Sequence, residues 1–143
     1  MFHLQNLKHV NVFQGSYTNG ATATGLIDTL GYDEAVISVT LATSNTTSNN
    51  PSAFNLQECD TSNGTFANVS GFLGDTDWTI PSANTSNATI FQFHAQTASR
   101  KRYLKLLVSP TTTQIIGAKA LLGRAEQVPN NTTKQGTVAS VNG

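Results

Sequence analysis

"GYDEAVISVTLAT" (Gly31–Thr43) decides the fold class. Ala35, Ile37, Val39 and Leu41 recur at every second residue, with Ser38 and Thr40 between them. A period of two sets the apolar residues on one face of an extended chain and the polar ones on the other. The same alternation recurs along the chain. "AFNLQECD" (Ala53–Asp60) turns Phe54 and Leu56 inward and Asn55 and Gln57 outward. "ATIFQFHAQT" (Ala88–Thr97) turns Phe91, Phe93 and Ala95 inward, with Gln92 and His94 outside. "RYLKLLVSP" (Arg102–Pro110) sets Leu104, Leu106 and Val108 against Tyr103 and Lys105. "KHVNVFQG" (Lys8–Gly15) carries Val10 and Val12 on one face. "TQIIGAKALLGRAEQ" (Thr113–Gln127) is compatible with a helix, but Ile115–Ile116 and Gly117 favour a strand presenting Ile116, Ala118, Ala120 and Leu122 together. "TFANVSGFLG" (Thr65–Gly74) reads either as a strand or as an irregular apolar segment.

Turn chemistry fills the intervals. "SYTNGATATG" (Ser16–Gly25) reads as a loop, and "SNTTSNNPS" (Ser44–Ser52) as a polar turn in which Pro51 stops a strand from continuing. "TSNG" (Thr61–Gly64) is a turn signal. "DTDWTIPSANTSN" (Asp75–Asn87) reads as a loop anchored by Trp78 and Ile80. Seven or eight short strands with no strong helix predict an all-β protein, an antiparallel two-sheet sandwich of jelly-roll or immunoglobulin-like kind. Ala88–Thr97 and Arg102–Pro110, so close in sequence, are expected to form a hairpin whose connection carries Arg100 and Lys101. The domain is expected over residues 8–127, with extended arms at 1–7 and 128–143.

Composition supports this reading. Charged residues make up 11% of 143, against roughly 25% in ordinary domains. That is too few for long helices with solvated, ion-paired outer faces. The net charge is zero but unevenly spread. Residues 1–99 hold one Lys and seven acids, a balance of −6; residues 100–143 hold seven basic residues and one Glu, a balance of +6. Such asymmetry implies that the later part of the chain leans on an acidic surface, its own or a partner's. Overall neutrality argues against nucleic acid as a partner. No run approaches the length of a membrane span, and the N-terminal residues lack a signal-peptide pattern. The N-x-[ST] triplets at Asn45, Asn63, Asn68, Asn84, Asn87, Asn130 and Asn131 read as loop composition.

Chemistry-bearing residues do not converge. His3, His9 and His94 share no metal-ligand spacing, and Cys59 stands alone. Asp75 and Asp77 could offer two oxygens to a cation, but an Asp-capped turn is the simpler reading. Asp33 and Glu34 are expected in a turn preceding their strand. No nucleophile elbow, phosphate loop or paired His/Cys cluster is present. The expectation is a non-enzymatic protein without cofactor or metal. "SRKRYLKLLVSP" (Ser99–Pro110) holds four of the eight basic residues. Only Tyr103 is interleaved with them, so the stacked aromatic platform of single-strand binders is missing. Two readings stay open for Arg100, Lys101, Arg102, Tyr103 and Lys105: charge guarding an apolar edge, or a protein contact.

"GYDEAVISVTLATSNTTSNNPSAFNLQECD" (Gly31–Asp60) together with "SRKRYLKLLVSP" resembles small virion structural proteins of tailed bacteriophages, among them the capsid decoration, or cement, proteins. The resemblance covers roughly residues 26–126. It implies a β-rich, often trimeric protein on the capsid surface, made in the host cytoplasm, with the major capsid protein and itself as partners. It also implies that a terminal arm laces neighbouring subunits, making Val128, Pro129, Val138 and Val141 candidate interface residues beside the basic run. A tail, neck or fibre-associated β-sandwich fits the same residues. A carbohydrate-binding module would instead use Trp78.

Overall fold

The structure, a computed structural model, describes residues 6–42, 50–80 and 89–125. Eight strands follow one another: β1 (Lys8–Tyr17), β2 (Ala23–Asp28), β3 (Tyr32–Leu41), β4 (Ala53–Cys59), β5 (Ala67–Leu73), β6 (Thr89–Gln96), β7 (Tyr103–Ser109) and β8 (Gln114–Ala125). A 3-10 turn at Thr97–Ser99 joins β6 to β7. One sheet has the order β1-β8-β3-β6 and the other β2-β7-β4-β5.

Every neighbouring pair is antiparallel. The pairings β1 with β8, β2 with β7, β3 with β6 and β4 with β5 trace one long folded ribbon. Rolling that ribbon brings β8 against β3 and β7 against β4. This is the jelly-roll order. An immunoglobulin sandwich places its first two strands side by side in one sheet, whereas here β1 and β2 belong to opposite sheets.

The alternating residues fill the space between the sheets. Ala35, Ile37, Val39 and Leu41 of β3 and Ile116, Ala118, Ala120 and Leu122 of β8 are buried, facing Phe54, Leu56, Leu104, Leu106 and Val108 of the second sheet. Phe54 is fully buried at the centre of an aromatic cluster, with ring centroids 4.9 Å from Phe91, 5.3 Å from Phe93 and 5.5 Å from Trp78. Phe72 meets Phe93 edge-on at 5.6 Å. Edge-to-face contacts of this kind add to simple area burial. Trp78 and Ile80 thus anchor the segment after β5 to the core, as the sequence predicts. Asp77 Oδ2 accepts hydrogen bonds from the Gly71 and Leu73 amides, and Asp75 Oδ1 accepts one from the Ile80 amide. These two carboxylates are turn caps. Gln114, at the start of β8, is buried with neither side-chain amide atom bonded among the described residues.

The two sheets come closest at one corner, where β2 passes β1. A Cβ added to Gly25 would lie 2.3 Å from the Val12 carbonyl oxygen and 2.5 Å from Val12 Cγ1. Only glycine allows that approach. Beside it, the β1–β8 register slips between Asn11 and Phe13. The extra residue lets Val12 and Phe13, adjacent in sequence, both enter the core. Val10, opposite the buried Ala120, and Val12 share the core-facing side that the sequence predicts, and the bulge adds Phe13 to it.

Three expectations are corrected. Ser16–Gly25 is not one loop: Ser16 and Tyr17 extend β1, and β2 begins at Ala23. Asp33 and Glu34 lie within β3, not in a turn before it. β6 and β7 do not form a hairpin, because β6 pairs with β3 and β7 lies between β2 and β4 in the other sheet. Their short connection crosses the end of the sandwich. The buried Thr97 makes that crossing, its hydroxyl donating to the Tyr32 carbonyl at the start of β3.

Candidate protein interface

The crossing carries the basic run to one corner of the sandwich. The Arg100 amide closes the 3-10 turn on the Thr97 carbonyl at 3.0 Å. The chain then enters β7 at Tyr103, and Lys101 and Arg102 turn toward the second sheet. Arg102 binds Asp28 at the end of β2 through two parallel bonds, Nε to Oδ1 and Nη2 to Oδ2, both 2.9 Å. The backbone fixes the same junction: the Arg102 carbonyl accepts from the Thr29 amide at 3.0 Å and from the Thr29 hydroxyl at 2.7 Å. The guanidinium also lies 4.8 Å from the centre of the Tyr103 ring. These bonds from Arg102 hold the Asp28 carboxyl below its ordinary pKa, against a smaller opposing effect of burial. Side-chain exposures of 43% for Arg102 and 37% for Asp28 leave the pair open to solvent screening.

Lys101 meets the acids at the end of β4. Its ammonium lies 3.6 Å from Asp60 and its amide donates to Glu58 Oε2 at 3.2 Å. On the other sheet, Arg124 near the end of β8 meets Glu34 of β3 at 3.4 Å. Each of these three ion pairs joins a base beyond residue 99 to an acid before it. The charge asymmetry of the sequence therefore maps onto contacts within the chain. Lys105 extends over the Phe66 ring at 4.3 Å. Arg100 is exposed, and its guanidinium meets no acid among the described residues.

The structure thus brings Arg100, Lys101, Arg102, Tyr103 and Lys105 to one end and one outer surface of the second sheet, with Arg100 as the uncommitted charge. Val128, Pro129, Val138 and Val141 lie outside the described residues, as do both arms except Asn6 and Leu7. Leu7 lies over Gly123 of β8.

The other broad surface, the outer face of β1-β8-β3-β6, carries little charge. Its rows run His9–Leu121–Val36–His94 and Asn11–Lys119–Ser38–Gln92 across the four strands. Shallow grooves follow it: one is lined by His9, Asn11, Gln14, Ser38, Lys119 and Leu121, another by Glu34, Val36, His94 and Gln96. His9 and His94 stand on opposite edge strands of the sheet, too far apart to share a ligand. Among the described residues, no group of three His, Cys, Asp or Glu side chains could hold a metal ion. Cys59 is a buried free thiol. Trp78 is half-buried against Phe54 and Phe93, and Tyr32 is buried. With Tyr17 and Tyr103 on separate strands, the described aromatic residues form no flat exposed platform.

Sequence reasoning missed Asp28, the partner of Arg102, because it missed β2. The available signal was the Ala23–Gly25–Ile27 alternation, weakened by a glycine at its centre. It placed Gln92 and His94 on the outer face of β6, where they are exposed, but not β6 at the edge of its sheet. Comparison of the chain with protein-family models, with curated proteins and with solved structures finds no match.

Proposed function

We propose that the chain is a non-enzymatic structural protein of a tailed-bacteriophage virion, attached to the capsid exterior, where it clamps adjacent capsomers of the major capsid protein. The jelly-roll order of the two sheets carries this reading. It is an architecture used repeatedly for building and decorating viral shells, and one that capsid and lectin domains share. The chemistry of the surface supports the same conclusion. The outer face of the first sheet carries little charge and mixes Asn11, Ser38 and Gln92 with Leu121 and Val36, three ion pairs join bases after residue 99 to acids before it, and the grooves are shallow.

On this reading the mechanism is mechanical. A rigid sandwich held across a capsomer boundary adds contacts that must break before the shell can open. Many weak copies act together, so modest affinity per copy yields a large gain in shell stability. Arg100 and the tail residues Val128, Pro129, Val138 and Val141 are the proposed points of attachment, and trimeric association is the arrangement that the family resemblance suggests.

The test adds purified protein to capsids assembled without it. Rescue of their heat and chelator resistance, with stoichiometric copies on mature heads by mass spectrometry, is the expected result. Equal stability with and without the protein, and no copies on the head, would reject capsid decoration. Copies found on the tail, neck or fibre would assign the chain to that part of the virion instead.

A further inference from the structure

Of the four edge strands, three are guarded. β1 is bulged between Asn11 and Phe13 and starts at Lys8. β2 is six residues long and ends at the Asp28–Arg102 pair. β5 pairs irregularly with β4, bends at Gly71 with φ +90°, and has its Gly71 and Leu73 amides capped by Asp77. Bulges, charges, shortness and caps are the usual devices that stop one sheet edge from pairing with another.

Among the described residues, β6 has none of them. "TIFQFHAQ" (Thr89–Gln96) holds no Asp, Glu, Lys, Arg, Pro or Gly. It pairs with β3 over eight successive residues with no slip in register. Among the described residues, no backbone group of β6 is bonded on the side away from β3. Ile90, beside that edge, is 66% exposed. In an antiparallel strand every second residue directs its N–H and C=O outward, so this edge is a row of backbone donors and acceptors matched to another extended strand.

We propose that β6 is a self-association edge, two copies pairing antiparallel along Thr89–Gln96 about a two-fold axis at Gln92 and joining their first sheets into one of eight strands. The occupant is a second copy because the edge is self-complementary. Residues directly opposite in an antiparallel pair share a face, so a two-fold axis must pass through a residue, not between two. Centred on Gln92, the pairing sets Gln92 against Gln92, where the side-chain amides can bond each other. It sets Ile90 against His94 on the outer face and Phe91 against Phe93 on the core side. No like charges meet. The contact is isologous and closes at two copies, in contrast to the trimer that the family resemblance suggests. It stands independently of the virion reading.

The test is the mass of the full chain in solution, by light scattering and native mass spectrometry over a concentration series. A concentration-dependent dimer is expected. Gln92→Lys sets two ammonium groups opposite each other and should weaken the dimer about 100-fold, and Gln92→Glu should do the same. Mixing the two variants should restore a heterodimer. Lys119→Gln, two strands in from the edge, should leave the dimer unchanged, and an unaltered melting curve for Gln92→Lys would show that its fold is intact. A wild-type chain that stays monomeric, a trimer, a dimer that survives Gln92→Lys, or a mixture that fails to re-associate would each overturn the proposal.

Discussion

Gly25→Ala and Gly117→Ala make the same chemical change on two strands, and the structure gives them opposite signs. At Gly25 the new methyl would sit 2.3 Å from the Val12 carbonyl oxygen and 2.8 Å from the Val12 carbonyl carbon. Ordinary contacts of a Cβ begin near 3.4 Å. Neither obstacle is the free end of a flexible side chain, so β1 and β2 must separate by about 1 Å at the corner where the sheets meet. Overpacking of this kind costs about 1–3 kcal/mol. Backbone atoms on both sides put the cost near the top of that range. Restricting the unfolded chain returns about 0.4–1 kcal/mol. The net expectation is a loss of about 2 kcal/mol, or a fall in Tm of roughly 4–8 °C for a domain of this size. At Gly117 the new methyl meets nothing within 4 Å, so only the unfolded-state effect remains and stability should rise by up to about 1 kcal/mol. Urea unfolding followed by circular dichroism, with thermal melts alongside, measures both. A Gly25→Ala protein as stable as wild type would refute the close approach of β2 to β1. A Gly117→Ala protein damaged as badly would show that strand glycines matter here for some reason other than space.

Two further substitutions test the ion pair and the buried amide. Asp28→Asn should cost up to about 1 kcal/mol at neutral pH and low salt, the range of an exposed but bidentate pair. Because Arg102 lowers the Asp28 pKa in the folded protein, the contribution is fully present above the unfolded value and is lost as pH falls through the folded one. The gap between wild type and Asp28→Asn, read from urea midpoints across a pH series, should therefore close in acid; a gap that persists there would point to a steric role. Gln114→Met keeps the side-chain length and removes an amide that no group among the described residues satisfies. It should stabilise the domain by about 1 kcal/mol, and a clear loss on denaturant unfolding would mean that the amide is hydrogen-bonded after all.

Strand existence was legible in this sequence wherever one face is buried and the other wet. β3, β4, β6, β7 and β8 announce themselves because Ile37, Phe54, Phe93, Leu106 and Ile116 recur at a spacing of two with polar neighbours. β2 did not. Its inward residues are Ala23, Gly25 and Ile27, only one of them large, while the exposed Leu26 sits on the wrong face for the pattern. Pairing was not legible either. Alternation shows which side of a strand is apolar but not which sheet it joins, and β6 and β7 point the same kind of face at each other from opposite layers. The short link through Thr97 therefore looks like a hairpin. The candidate site shows the same division. The excess of bases after residue 99 is plain in the sequence, yet the partner of Arg102 lies 74 residues away on the strand that was overlooked.

The position of β8 has a consequence for how the molecule comes into being. β8 lies between β1 and β3 in the interior of its sheet, although it is the last of the described strands to be synthesised. Until Gln114–Ala125 has emerged, β1 has no partner in that sheet and β3 is paired along only one side. One edge of β3 stays open from the synthesis of Leu41 until β8 emerges. Non-local pairing of this kind closes long loops before it gains contacts and is slow, commonly milliseconds to seconds for β-sandwiches. A ribosome that stops short of β8 therefore releases a chain with two unfinished sheet edges, a species prone to aggregate. The sparing use of large apolar side chains on the outward faces of β1, β3 and β6 limits how sticky that waiting chain can be.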